Sequence, residues 1–274
     1  MSKESSGISS RWVLLWVSCG LIFFFLLMPI LIIVPMSFSP KRIIEFPPEG
    51  FSLKWYASYF TNPQWIGSTL RSFRVAFGVS ILSTILGVLS AFGLIRGRFA
   101  GKGFLMAFIL SPLIVPVIIK AVSVYYFFNK LHLVGTEWGL ILAHTASAIP
   151  YNVIIISSTL INFDEGLERA SMNLGANRLR TFFHITLPLI RPGLISAGLF
   201  AFISSFDELI IAIFISGVKA VTLPKMMWDG IRFEINPTLT AISSILILLS
   251  TVLLLSSEYL RKGFTKKGGV ELPR

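Results

Sequence analysis

Six long apolar runs separated by polar stretches set the pattern of this chain. A helix crossing the hydrocarbon core of a bilayer needs about 20 mostly apolar residues. Residues 12–36, 68–95, 104–128, 138–161, 193–218 and 236–257 reach that length. Each is predicted to be a helix, because a lone strand leaves its backbone polar groups unsatisfied in lipid. The first and last runs carry no charge, whereas the second has Arg71 and Arg74 near its start, the third contains Lys120 and the fifth contains Asp207 and Glu208. Pro29, Pro35, Pro112, Pro116 and Pro150 lie within the runs. They are expected to kink or shorten them, since proline has no N–H to give the helix. The pattern predicts an all-α polytopic membrane protein with six transmembrane helices. A single membrane domain covers residues 12–260, between an N-terminal segment 1–11 and a tail 261–274.

Composition agrees with that pattern. Charged residues make up 14% of the chain and hydrophobic ones 54%, with a mean hydropathy of +0.78; a soluble domain has about 25% charged residues. The net charge of +11 could suggest nucleic acid. The basic residues, however, sit between the apolar runs, so the expected partner is the lipid bilayer and not nucleic acid. Fourteen lysines and arginines fall in the N-terminus, the second and fourth connections and the tail, against nine in the other connections and the start of the second run. The positive-inside rule then places both termini and the loop 161–192 in the cytoplasm. Cys19 is the single cysteine, which excludes an intrachain disulfide. The apolar run continues well past it, as in a signal anchor. In the first connection, the turn-rich stretch 46–50 precedes Ser52, which can cap a short helix over residues 53–60. Its aromatics Trp55, Tyr56, Tyr59 and Phe60 suit a helix lying on the outer membrane surface.

The loop at residues 164–188 is polar and amphipathic. Asn162 and Glu165 have capping-box spacing. Leu167, Ala170, Ser171 and Leu174 follow at i, i+3, i+4 and i+7 and form one small-to-apolar stripe. Gly175 stands where a helix end wants positive φ. A second short helix is predicted over residues 177–186, ending before Pro188. The stripe needs a surface to bury against, and periodicity alone leaves both the membrane surface and another protein open.

Chemistry of other kinds finds little support. Gly97 to Gly103 is the nearest approach to a P-loop; it is one residue short and has Gly where the magnesium ligand belongs. His132, His144 and His184 are scattered without metal-ligand spacing. No catalytic residue, metal site or cofactor is expected.

The spacing Gly175, nine residues, Ile185, one residue, Leu187-Pro188 resembles the signature loop, the EAA loop, of bacterial ABC importer permeases. In that family Glu-Ala-Ala precedes the glycine by three residues; this chain has Arg169-Ala170-Ser171 there. Glu168, one position earlier, points about 100° away around a helix. The resemblance implies a non-catalytic permease subunit in a bacterial inner membrane, with the loop as a coupling helix on cytoplasmic ATP-binding subunits. It also implies a second permease subunit, expected to be a non-identical six-span chain, and a periplasmic solute-binding protein. The coupling residues it implies are Leu167, Glu168, Ala170, Ser171, Leu174, Gly175, Ile185, Leu187 and Pro188. Residues 204–217, 110–116 and 142–150 resemble the spermidine/putrescine branch most, which implies a polyamine cargo.

Asp207, Glu208 and Lys120 are the candidate pathway residues, because ionised groups inside a bilayer face a cavity or a partner. The alternative is that the acids hold helices together, through Lys120 among others. Acids suit a polycation. Lys120, Arg71, Arg74 and the basic surplus suit instead an opine, an amino-acid derivative or a phosphonate. An ion-gradient-driven transporter, in which the acids are central, and a non-transporting scaffold are the rival classes.

Overall fold

The computed structural model describes residues 10–43, 45–233 and 237–267, and every regular element among them is helical. They fall into two compact units, drawn from Met1–Asn62 with Gly230–Leu249 and from Pro63–Asp229 with Ser250–Arg274.

In the first unit, α1 (Ser10–Met36) runs unbroken through Pro29 and Pro35. Its large apolar side chains are exposed, as on a helix whose surroundings are lipid. The following loop folds into an aromatic knot. Trp55 Nε1 donates to Ser39 O at 2.8 Å, Tyr56 Oη lies 2.7 Å from Ser37 Oγ, and Phe38 stacks on Phe51. The helix foreseen at residues 53–60 is α2 (Lys54–Thr61), with Ser52 Oγ accepting from the Lys54 N–H at 3.2 Å. Trp55 and Tyr59 are buried, so this helix is packed and does not merely rest on a surface. A buried indole N–H needs a partner, and the Ser39 carbonyl supplies it. Hydrogen bonds from Lys41 to Glu49 and Glu45 raise the lysine pKa above its ordinary value.

The second unit is built on α3 (Pro63–Arg96), α6 (Glu137–Ile161) and α9 (Leu187–Phe206), which pack against one another. Gly78 faces Ile141 and Gly87 faces Asn152, so α3 and α6 run parallel; Gly193 faces Thr159 and Ser205 reaches His144, so α9 runs the other way. The buried face of α3 carries Ser72, Ala76, Ser83, Gly87 and Ala91. Lipid tails are as apolar as leucine, so helices in a bilayer gain by close approach and interhelical hydrogen bonds. Small residues permit both. Asn152 Nδ2 donates to Ser83 Oγ at 2.9 Å and Thr84 Oγ1 at 3.3 Å, and Ser80 Oγ donates to Gly198 O at 2.7 Å. Around these bonds lie two apolar clusters, one including Val79, Leu140 and Ile211, the other Ala91, Ile156 and Ile190.

Ion pairs mark the two ends of α3. At one end Arg71 and Arg74 both reach Glu137, at 3.2 and 2.5 Å; at the other Arg96 pairs with Glu165 and Glu168. The 22 residue steps from Arg74 to Arg96 span about 33 Å at 1.5 Å per step, close to the roughly 30 Å hydrocarbon thickness of a bilayer.

The other apolar runs depart from simple spans. The third is two helices, α4 (Lys102–Leu110) and α5 (Val117–Lys130), joined by a 3-10 turn (Ser111–Leu113) and bent by 101°. Pro116 is extended at ψ 134; it has no N–H for the ladder and sits where the helix restarts. Pro150, by contrast, lies inside an unbroken α6. The fifth run is not one helix over residues 193–218. Its helix begins near Arg178, ends at Phe206, and gives way at residues 207–209 to the short α10 (Ile210–Ile215). Four helices among the described residues are long and apolar enough to cross a membrane, or up to five if the bent pair is one span. After α11 (Leu223–Phe233), α12 (Thr238–Lys267) contributes a shorter apolar stretch, Thr238–Val252. Residue 236 of the predicted sixth run lies outside the described residues.

Candidate functional site

The loop after α6 folds as a short helix, α7 (Glu165–Asn173), then a glycine turn, then α8 (Arg178–Thr181). Its start differs from the predicted capping box. Asp164 is the N-cap, accepting from the Gly166 N–H at 2.8 Å, while Asn162 Nδ2 donates back to Ser158 O at 2.9 Å. Asn162 is itself the C-cap of α6, so its amide serves the helix that ends there.

The end of α7 agrees with the sequence. Gly175 has φ +91, the Ala176 N–H donates to Ser171 O and the Gly175 N–H to Met172 O, which is a Schellman closure. Asn177 then caps α8, accepting from the Arg180 N–H at 2.8 Å. The second helix does not stop before Pro188. A π-helical turn (Phe182–Thr186) carries it directly into α9. Pro188 has no N–H for the His184 carbonyl four residues back, and the wider turn just ahead of it absorbs that loss.

Between these helices lies an open concavity of about 430 Å³ lined by Leu167, Ala170, Ser171, Leu174, Gly175, Ala176, Arg180 and Ile185. Six of these eight are residues singled out from the sequence. Leu174 is 88% exposed, so the stripe has no cover within the described residues. Leu187 and Pro188 lie in the first turn of α9, outside this lining.

Glu168 stands apart from the stripe. Its carboxylate accepts from Thr186 Oγ1 at 2.8 Å and lies 3.6 Å from Arg96 Nη2, while Arg96 Nη1 pairs with Glu165 and the guanidinium sits over the Phe163 ring at 5.7 Å. Ser171 Oγ lies 3.1 Å from Thr181 Oγ1. These contacts tie α7 to the end of α3 and to the π-helical turn. Arg169, at the family's Glu position, is exposed. Arg96, Thr181 and Thr186 carry no motif that would single them out. The only signal in the sequence is Glu165 and Glu168 at i, i+3, a pair that shares one helix face and calls for a cation.

The candidate pathway charges are also separated. Asp207 is the C-cap of α9 and is exposed, whereas Glu208 Oε1 accepts from the Ile211 N–H at 3.1 Å and so closes the start of α10. The two neighbours thus do different work. Lys120 lies on α5 and pairs with neither acid among the described residues, so the suggested helix-holding bridge is absent there. Buried His144 Nδ1 lies 2.9 Å from Ser205 Oγ on α9, an interhelical contact. Arg71 and Arg74 are taken up by Glu137, and Arg71 Nη1 also donates to Val221 O.

Comparison with known proteins bears on this arrangement. The chain is 34% identical over 247 residues to the putrescine transport system permease protein PotI of Escherichia coli K12, covering 88% of this chain and 87% of that one. It is 32% identical over 241 residues to the spermidine/putrescine transport system permease protein PotC of Haemophilus influenzae, covering 88% and 93%. Among solved structures, a chain of a bacterial alginate ABC transporter in complex with an alginate-bound periplasmic protein superposes with a TM-score of 0.74 over 94% of this chain and 97% of that one, at 16% identity. That similarity concerns the fold. The gradient-driven and scaffold alternatives have no such support. Residues 83–267 match the model of the binding-protein-dependent transport system inner membrane component, and the chain belongs to that family, as a permease subunit of an ABC importer.

Proposed function

We propose that this chain forms half of a translocation pathway for a polyamine, with six spans, both termini in the cytoplasm and no catalysis of its own. A second, non-identical permease subunit completes the pathway, a periplasmic protein delivers the solute, and two cytoplasmic ATPase subunits dock at α7. Closure of the ATPase dimer moves α7, and with it α3 and α9, so that the cavity turns outward. Leu167, Ala170, Ser171, Leu174, Gly175 and Ile185 form the docking wall. Glu168 acts inside the chain, holding α7 to its neighbours.

The observation that carries the cargo class is Asp207. A carboxylate at the C-terminal, negative end of α9 is unfavourably placed for the isolated chain, and inside a bilayer it calls for a cation. No cation of this chain pairs with it among the described residues. A linear polycation supplies one. The arginines that favoured an anionic cargo, Arg71 and Arg74, share the one Glu137 carboxylate, which offsets one of their two charges. Names of the relatives point to the same cargo class.

The test is ATP-driven uptake by the full importer in proteoliposomes. Asp207→Asn should lower putrescine uptake about tenfold while ATPase subunits stay bound, about the 1.4 kcal/mol expected for one lost charge-assisted contact. Equal uptake by wild type and variant, or wild-type transport of an opine-like anion in place of putrescine, would refute the cargo reading.

A further inference from the structure

The outward electrostatics of the loop are one-sided. Its three acids all have partners within the chain, though Asp164 and Glu165 stay exposed: Asp164 caps α7, Glu165 pairs with Arg96, and Glu168 accepts from Thr186 beside Arg96. Its arginines do the reverse. Arg169, Arg178 and Arg180 are exposed and pair with no carboxylate among the described residues. Arg178 and Arg180 also occupy the first turn of the helix that continues through Phe206. A cation at that positive end of a helix dipole destabilises the isolated chain. Arg180, moreover, lines the apolar concavity beside Leu174 and Ile185.

We propose that the surface seated in this concavity is acidic at its rim: an apolar side chain of the ATPase subunit enters between Leu174 and Ile185, and a carboxylate of that subunit meets Arg180, with Arg169 and Arg178 facing further acidic groups. This rests on the reading that α7 docks an ATPase and adds the chemistry of the partner. Desolvating Arg180 without an anion would leave a buried unpaired charge, so an apolar plug alone does not suffice. A flat layer of lipid phosphates does not enter a concavity, and so does not account for the guanidinium that lines it. Because complementary charge sets partner choice, such a rim also selects this chain's own ATPase.

The experiment measures the affinity of the purified cognate ATPase subunit for the full permease in nanodiscs, between about 0.1 and 1 M NaCl, where the Debye length falls from about 10 to about 3 Å. Wild-type affinity should fall with salt. Arg180→Glu should bind about tenfold more weakly or worse, Arg180→Gln should be weaker with a shallower salt dependence, and Arg180→Lys should retain most of the affinity and show that the loop is folded. A lysine replacing an ATPase carboxylate should restore binding to Arg180→Glu. Unchanged affinity and salt dependence in Arg180→Glu overturns the acidic rim while leaving docking intact. Absence of wild-type binding overturns docking itself. Lost binding of Arg180→Glu to phosphatidylglycerol vesicles, with ATPase affinity unchanged, assigns the arginine to lipid and likewise overturns the proposal.

Discussion

Removing Arg96 should loosen α7 from the bundle. The guanidinium and the Glu168 carboxylate are each only about a fifth exposed, at 21% and 20%, and lie 3.6 Å apart, whereas Glu165 is 55% exposed. At an effective dielectric of about 20 the closer-buried pair has a gross attraction of about 4–5 kcal/mol. Desolvation and side-chain ordering take much of it back. Exposed pairs net up to about 1 kcal/mol, and breaking a fully buried pair costs about 3–5; this pair falls between, at about 2 kcal/mol. Arg96→Ala should therefore raise the frequency at which α7 opens by about 30-fold. Hydrogen–deuterium exchange in nanodiscs reads this directly. The amides of Glu165–Asn173 should exchange about 30-fold faster, while the α6 amides near Ile156 stay protected. Arg98→Ala removes an equally charged but exposed side chain and should change neither. Arg96→Ala with Glu168→Gln should exchange more slowly than Arg96→Ala alone, because the orphaned carboxylate is gone while Thr186 keeps an acceptor. A folded Arg96→Ala protein with α7 exchange within about threefold of wild type would refute the argument.

Two further substitutions test the packing and the turn. A Cβ at Gly193 would lie 2.2 Å from Thr159 Oγ1 and 2.9 Å from its Cβ, so Gly193→Ala should cost about 1–3 kcal/mol and lower the thermal midpoint in detergent. Gly67→Ala meets nothing and should leave the midpoint unchanged or raise it; a silent Gly193→Ala would mean that α6 and α9 are not held this close. At Gly175 space is open but φ is +91, so the cost is conformational: Gly175→Val should cost about 1–3 kcal/mol and uncouple ATP hydrolysis from transport, whereas Gly175→Asn should be tolerated. Equal coupling in both variants would count against the left-handed turn.

Much of this molecule is written locally in its sequence. Apolar length fixed four of the spans, and the stripe from Leu167 to Leu174 with Gly175 behind it specified α7 and its closure, because helix periodicity and positive φ are properties of a few adjacent residues. Five of the eight residues that wall the concavity were legible for the same reason and Ile185 through the loop spacing, whereas Ala176 and Arg180 were not. Tertiary structure decided what adjacency cannot encode. Asp164 and Asn162 were assigned their caps by where α6 ended. Pro188 was accommodated by a π-helical turn upstream, so the predicted helix end became a continuous helix. Glu168 was turned inward by Arg96, about 70 residues away in sequence, and Arg71 and Arg74 were claimed by Glu137. Charge pairing inside a low-dielectric bundle is settled by which side chains meet in space, and that choice also determined which charges, Asp207 and the loop arginines, have no ion-pair partner among the described residues.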